Sequence, residues 1–137
     1  MQETIIILDF GSQYTQLIAR RLRELNVYCE ITPWNKPKEL TENIKGVILS
    51  GSPFSVRDEN SPVPQIDLYK GKIPLLCVCF GAQFMANHFG GEVLPSKIRE
   101  YGRANLSHVD NDSILMKGVR DNSQVWMSHG DTIKKIP

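Results

Sequence analysis

Four short aliphatic runs divide the first half of the chain into regular segments. They lie at residues 4–8, 27–32, 46–50 and 73–78, and their β-branched content predicts buried strands. Helical or polar segments separate them, so the alternation predicts an α/β fold with a mostly parallel sheet and helices on both of its faces. In such a fold, ligands bind at the carboxyl ends of the strands.

The segments between these runs predict helices. The first helix is expected to be capped by Ser12, and its apolar residues recur at helical spacing. These residues are Leu17, Ile18, Leu22 and Leu25. A short polar helix is predicted at 38–44, a single helical turn at 65–70, and a helix at 80–89 that ends before two glycines.

The last third of the chain has a different pattern. Short strand candidates follow one another without long helices between them, which predicts hairpins or edge strands that pair antiparallel and make the sheet mixed. They lie at residues 92–94, 104–109, 114–116 and 124–127. We expect one domain over residues 1–137, and the lack of a closing element after Ile133 indicates that a C-terminal segment is missing.

Charge and hydropathy exclude several classes of function. Sixteen Lys and Arg residues balance 15 Asp and Glu residues to a net charge of +1, so no strong field would attract nucleic acid or an anionic membrane. The apolar runs are far shorter than the roughly 20 residues of a membrane span, and the N-terminus has no basic region typical of a secretory signal. A cytoplasmic location is therefore predicted.

The three cysteines suit a reducing compartment. Their number is odd, and the pair Cys77 and Cys79 has neither the spacing of a redox motif nor that of a disulfide. No His lies a few residues from this pair, so a zinc site has little support. Cys29 and Cys77 fall within predicted strands, which favours a role as packed thiols.

Cys79 is the strongest candidate for chemistry. It lies between a predicted strand and a predicted helix, two residues before Gly81, in the pattern of a nucleophile elbow. Backbone N–H groups at the helix N-terminus stabilise a thiolate and an oxyanion, and the turn that begins at Gly51 is expected to supply a second N–H donor. The alternative for Cys79 is a buried structural thiol.

Polar residues around this turn give less specific signals. Gln83 follows Cys79 by one helical turn, so its amide is expected to face the thiol, although a helical Gln is more often solvated. His88 and His108 fit surface or packing roles, whereas His129, in a predicted turn at 126–131, is the better-placed general base.

Five stretches resemble the triad-type, or class I, glutamine amidotransferases, and in particular the amidotransferase domain of GMP synthases. They are residues 8–21, 49–53, 77–83, 99–102 and 125–131, and the resemblance covers essentially the whole chain. The fold it implies is flavodoxin-like. The mixed-charge run 97–103, which overlaps one stretch, is either a solvated loop or a contact with another domain.

The resemblance also implies roles for individual residues. Cys79 would attack the side-chain amide of glutamine to give a thioester and ammonia, with the N–H groups of Gly51 and Phe80 as the oxyanion hole. The residues implied to bind the amino-acid end of glutamine are Gln83, Ser128, Gly130 and Asp131. Cys77 and Ser52 replace glycines that are commoner in the family, and both are small enough for us to expect tolerance.

The implied partner is a synthetase domain that uses ATP and magnesium to convert XMP to GMP. Those sites are expected in the absent synthetase domain, so no cofactor or metal is expected in this chain, and a homodimer through the absent part is one arrangement that fits. The family's His-x-Glu base would lie beyond the turn at 126–131. We therefore expect the isolated chain to be inactive or very weakly active.

Three other interpretations stay open at this stage. The chain could be a non-catalytic regulatory or interaction module that retains the elbow, or an α/β cysteine hydrolase with His129 as its base. A flavodoxin-like nucleotide binder is a third alternative. It is disfavoured because the turn at 9–12 lacks the glycine pattern and the lysine of a phosphate loop.

Overall fold

A computed structural model describes the backbone of residues 1–137 and the side chains of all but residues 97–100. The chain divides into two compact units. The first comprises Met1–Leu94 and Ile133–Pro137, and the second comprises Pro95–Thr132. The expectation of one amidotransferase domain over the whole chain stays a prediction.

The first unit is built on a four-stranded sheet in which every pairing is parallel, in the order β2-β1-β3-β4. The strands are β1 (Thr4–Asp9), β2 (Cys29–Pro33), β3 (Ile44–Leu49) and β4 (Leu75–Cys77). All four predicted strands are present. Leu49 at the end of β3 pairs with both Leu8 and Cys77, so the carboxyl ends of the three strands meet at one edge.

Helices α1 (Thr15–Glu24) and α2 (Phe80–His88) pack on opposite faces of this sheet, as predicted. In strand β1, successive side chains alternate between the two faces of the sheet. Ile7 packs with Ala19 of α1, whereas Ile6 belongs to the larger core that contains Phe84 of α2. Neither α1 nor α2, nor any other helical segment in the described residues, is long and apolar enough to cross a membrane.

The predicted polar helix at 38–44 is wrong. This segment is irregular, and β3 already begins at Ile44. The Lys38 carbonyl accepts a hydrogen bond of 2.7 Å from the buried Tyr69 hydroxyl, and Leu40 packs against the larger core. These tertiary contacts outweigh a weak local helix preference. The single turn predicted at 65–70 is confirmed as a 3-10 turn, Ile66–Leu68.

Two expectations about α1 are also wrong. The helix begins at Thr15, and Ser12 lies in the preceding turn, where its hydroxyl oxygen accepts a hydrogen bond of 3.0 Å from the Tyr14 N–H. Leu17 and Leu25 are 47% and 73% exposed, so they do not belong to the buried face. The buried face of α1 is instead formed by Thr15 and Ala19, with Ile18 and Leu22 partly buried beside them.

The remaining strands are longer than predicted. In place of short strands, β5 (Glu92–Asn105) and β6 (Gln124–Lys135) form a two-stranded antiparallel sheet. The connection between them is irregular and contains turns, so the strand expected at 114–116 is absent and the one expected at 104–109 ends at Asn105. Within it, the Val109 N–H donates a hydrogen bond of 2.7 Å to the Asp121 carboxylate, which fixes the loop without regular structure.

Candidate active site

The turn between β4 and α2 has the backbone of a nucleophile elbow. Cys79 precedes the first residue of α2 and has φ 53° and ψ −112°, a conformation that side-chain-bearing residues rarely adopt. A backbone conformation of this kind raises the free energy of the folded state by about 1–3 kcal/mol, and such strain is concentrated at functional sites. The Cys79 thiol is exposed. The predicted strand–turn–helix around Cys79 is confirmed.

Gly81 allows this turn to form. A Cβ atom at Gly81 would lie 2.6 Å from the Cβ of Leu49 and 2.8 Å from its carbonyl oxygen, which leaves no room for any side chain. The Gly81 N–H donates to the carbonyls of Ser50, at 3.2 Å, and Val78, at 3.0 Å. The start of α2 is therefore joined directly to the end of β3.

The Gly51 turn lies beside the thiol-bearing residue. A Cβ atom at Gly51 would be 3.7 Å from the Cβ of Cys79 and 3.4 Å from the Ser12 hydroxyl oxygen. In the part of the chain that the structure describes, neither the Gly51 N–H nor the Phe80 N–H donates a hydrogen bond. Phe80 directly follows Cys79 in the chain and Gly51 lies beside Cys79 in space, so the turn can accommodate an oxyanion.

Sequence reasoning missed the buried hydroxyls behind this turn. Ser50 is fully buried and Thr15 is 2% exposed, and their hydroxyl oxygens are 3.3 Å apart. Ser50 directly follows β3 and Thr15 begins α1, and a hydroxyl at the end of such an element is usually interpreted as a cap. Because they are 35 residues apart in sequence, only the packing of α1 on the sheet brings them together.

The other two thiols are packed, as expected. Cys77 is partly buried against the larger core, and this burial raises the pKa of its thiol from 9.0 to about 11. Cys29 is 3% exposed, and its thiol lies 3.6 Å from the Ala19 carbonyl oxygen, to which it donates. Neither thiol has the environment of a nucleophile.

The raised pKa of Cys77 predicts a pH dependence of stability. The folded state holds the Cys77 proton more tightly than the unfolded state, so the stabilisation is complete below pH 9 and is lost as the pH rises towards 11. We expect Cys77→Ala to show a smaller fall in Tm between pH 8.5 and 11 than the parent chain. Burial also raises the pKa of Tyr69, which contributes equally to both proteins, so the difference between them reports Cys77. An equal fall in Tm with pH in the two proteins would contradict this prediction.

Gln83 lies inside the protein. It is 8% exposed, and its backbone N–H donates a hydrogen bond of 3.0 Å to the Cys79 carbonyl oxygen, one helical turn away. The usual solvated position of a helical Gln is therefore excluded here. A buried side-chain amide close to the elbow is consistent with a binding role.

The three histidines occupy different environments. His88 is exposed, and its ring stacks on Phe84 with a centroid distance of 5.0 Å, so it has the predicted packing role. His108 is also exposed. His129 lies within β6, rather than in the predicted turn, and its Nδ1 atom is 2.7 Å from the Asp131 carbonyl oxygen.

The remaining candidates lie in the second unit. They are Ser128, Gly130 and Asp131, which all belong to β6, and their part in binding stays a prediction. The side chains of residues 97–100 lie outside the described residues, so the domain contact expected at 97–103 is likewise untested. Among the described residues, no group of three or more His, Cys, Asp and Glu side chains could hold a metal ion.

The family follows from the sequence as a whole. The model of the family "Glutamine amidotransferase class-I" matches residues 6–137. The chain belongs to the class I glutamine amidotransferases. Within this family assignment, Cys79 is the exposed cysteine at the strained strand-to-helix turn.

Curated relatives within this family are much longer than the chain. A GMP synthase [glutamine-hydrolyzing] from Cytophaga hutchinsonii is 63% identical over 137 residues, and one from Bacteroides fragilis is 61% identical over the same length. Each alignment covers 100% of this chain and 27% of the relative. The chain thus spans about a quarter of the length of these class I amidotransferases.

Solved structures confirm the predicted fold class. A protein from Thermoplasma acidophilum that has been assigned as one component of a GMP synthase aligns with a TM-score of 0.82 and 29% identity, over 100% of this chain and 69% of that protein. A glutamine amidotransferase from Thermotoga maritima aligns with a TM-score of 0.70 and 20% identity, over 96% and 62% of the two chains. The second likeness bears on the fold alone.

Proposed function

We propose that the chain is the glutamine-hydrolysing part of a GMP synthase. The observation that carries this proposal is the exposed Cys79 at a positive φ, with the N–H groups of Gly51 and Phe80 beside it and free of acceptors within the described residues. The identity of 63% to a GMP synthase over the whole chain supports the same conclusion.

The proposed reaction follows from this arrangement. The Cys79 thiolate attacks the side-chain amide carbon of glutamine, and the N–H groups of Gly51 and Phe80 stabilise the resulting oxyanion. The C–N bond then breaks, the nitrogen takes up a proton, and ammonia leaves a γ-glutamyl thioester. Water hydrolyses the thioester to glutamate and restores the thiol. The residues proposed to bind the amino-acid end of glutamine are Gln83, Ser128, Gly130 and Asp131.

The partner in this proposal is a synthetase domain. It would receive the ammonia and use ATP and magnesium to aminate XMP to GMP, so ATP and magnesium belong to the partner and not to this chain. We place the reaction in the cytoplasm, because the three cysteines are thiols rather than halves of disulfides, which suits a reducing compartment.

Labelling with 6-diazo-5-oxo-L-norleucine tests the proposal. This glutamine mimic carries a diazo group, and the thiol displaces N₂ from it to form a stable thioether. We expect intact-mass analysis to show one label in the parent chain and in the matched control Cys77→Ala, and none in Cys79→Ala. Excess glutamine should prevent labelling by occupying the same pocket.

Two results would contradict the glutamine-hydrolysing role. Labelling that glutamine does not prevent would indicate a reactive thiol without a glutamine pocket, as expected for a different cysteine hydrolase. Absence of labelling in a sample with the native circular dichroism spectrum would favour a non-catalytic module. Iodoacetamide, which needs no pocket, shows in the same sample whether Cys79 is accessible.

A further inference from the structure

A chain of buried hydroxyls connects β1 to the Gly51 turn. The Thr15 hydroxyl is a shared donor: its oxygen is 3.1 Å from the Asp9 carboxylate and 3.3 Å from the Ser50 hydroxyl, and both of these groups accept from it. The Ser50 hydroxyl in turn accepts from the Phe10 N–H and donates to the Gly51 carbonyl, both at 3.3 Å. Because Thr15 and Ser50 are almost completely buried, water does not compete for these hydrogen bonds.

These contacts hold Gly51 on both sides. The carbonyl of the preceding peptide, that of Ser50, accepts from the Gly81 N–H, and the carbonyl of Gly51 itself accepts from the Ser50 hydroxyl. A glycine without such contacts would sample many backbone conformations. The Gly51 N–H lies in the same peptide plane as the Ser50 carbonyl, so the hydrogen bond from Gly81 sets its direction, and the hydrogen bond from the Ser50 hydroxyl restrains the next peptide plane.

We propose that Thr15 and Ser50 are positioning residues that hold the Gly51 N–H in place for the oxyanion of glutamine hydrolysis. The inference rests on the proposed function, since it assigns a reason for the geometry of that site. An oxyanion donor is most effective when it needs no reorganisation during the reaction. The hydroxyl chain adds to the rigidity that the hydrogen bond from Gly81 provides, because it holds the Gly51 carbonyl, and the proposal assigns neither hydroxyl a contact with the substrate.

Two reactions of the same thiol separate positioning from stability. With the γ-(p-nitrophenyl) ester of L-glutamate, the Cys79 thiolate forms a C–S bond through a tetrahedral oxyanion, and p-nitrophenolate leaves with the electron pair and is measured by its absorbance. With iodoacetamide, the thiolate displaces iodide directly and no oxyanion forms. In a variant that leaves the proposed glutamine-binding residues unaltered, a change in the ratio of the two rate constants therefore reports oxyanion stabilisation rather than thiol reactivity.

The decisive variant is Thr15→Val, which keeps the shape of the side chain and removes its hydroxyl. We expect it to slow acylation about tenfold, less than the 10²–10³-fold loss of an oxyanion donor itself, with alkylation changed by less than about twofold. Thr15→Ser should restore acylation, and Ser50→Ala should lower the ratio as Thr15→Val does. Thr4→Val is the matched control, because Thr4 is equally buried, at 2% exposure, at the opposite end of β1.

Each other outcome identifies what has failed. If the parent chain is alkylated at Cys79 but not acylated, the proposed function is wrong and the positioning role falls with it. If the parent chain is acylated and Thr15→Val matches Thr4→Val, only the positioning role is overturned. Equal losses in both reactions would also overturn it, because they would show that the hydroxyls serve the structure of the elbow in general.

Discussion

Replacing Gly81 with alanine should lower the free energy of unfolding by about 3 kcal/mol and the Tm by roughly 10 °C. The added methyl group would overlap both the Cβ atom and the carbonyl oxygen of Leu49, at 2.6 and 2.8 Å. A backbone oxygen cannot move aside as a flexible side chain does, so the start of α2 must move away from β3. That movement breaks the hydrogen bond from Gly81 to Ser50 and displaces the Phe80 N–H, so labelling of Cys79 should also be lost.

Thermal unfolding followed by circular dichroism measures the first effect. The matched control is Gly130→Ala, because a Cβ atom at Gly130 would meet nothing within 4 Å and its φ is ordinary. We expect its Tm to lie within about 2 °C of the parent value. A Gly81→Ala variant as stable as this control would show that the elbow does not depend on contact between α2 and β3.

Replacing Gly51 with alanine should have the opposite profile, with little change in Tm and a fall of about 100-fold in the rate of acylation by the glutamate ester. The new methyl group would make ordinary contacts, 3.4 Å from the Ser12 hydroxyl oxygen and 3.7 Å from the Cβ of Cys79, so the fold can accept it. It would occupy the space through which the substrate carbonyl reaches both the thiol and the N–H donors.

Ser52→Ala is the control for this second variant. This substitution adds no atom to the turn and removes a hydroxyl that accepts a hydrogen bond of 3.2 Å from the Phe54 N–H. Acylation of the control should stay within about threefold of the parent rate. If Gly51→Ala is acylated as fast as Ser52→Ala, the oxyanion does not bind between Gly51 and Cys79.

The parts of the fold that could be predicted from the sequence are those with one dominant local signal. The aliphatic runs of β1 and β3 predict buried strands without competing signals. The spacing of Cys79 and Gly81 alone predicts the turn between a strand and a helix. The helix expected at 38–44 failed because its only signal was a weak local preference, whereas distant residues hold this segment, Tyr69 through a hydrogen bond to the Lys38 carbonyl and the larger core through Leu40.

The parts that could not be predicted depend on residues distant in sequence. Strands β5 and β6 support each other as a pair, so neither sequence alone shows their full length. The chain from Asp9 through Thr15 to Ser50 exists only because β1 and β3 are neighbours. Pattern analysis can locate a nucleophile, but it does not detect the groups that hold the surrounding backbone.

The neighbourhood of Gly51 and Cys79 also has a consequence for refolding. These residues follow β3 and β4, and they meet only after parallel strands with long connections have paired, which is a slow step in chain folding. Helices α1 and α2 can form earlier from local contacts. Glutamine-protected labelling of Cys79 would therefore count the molecules that have completed strand pairing, even in a mixture whose helical signal is already native.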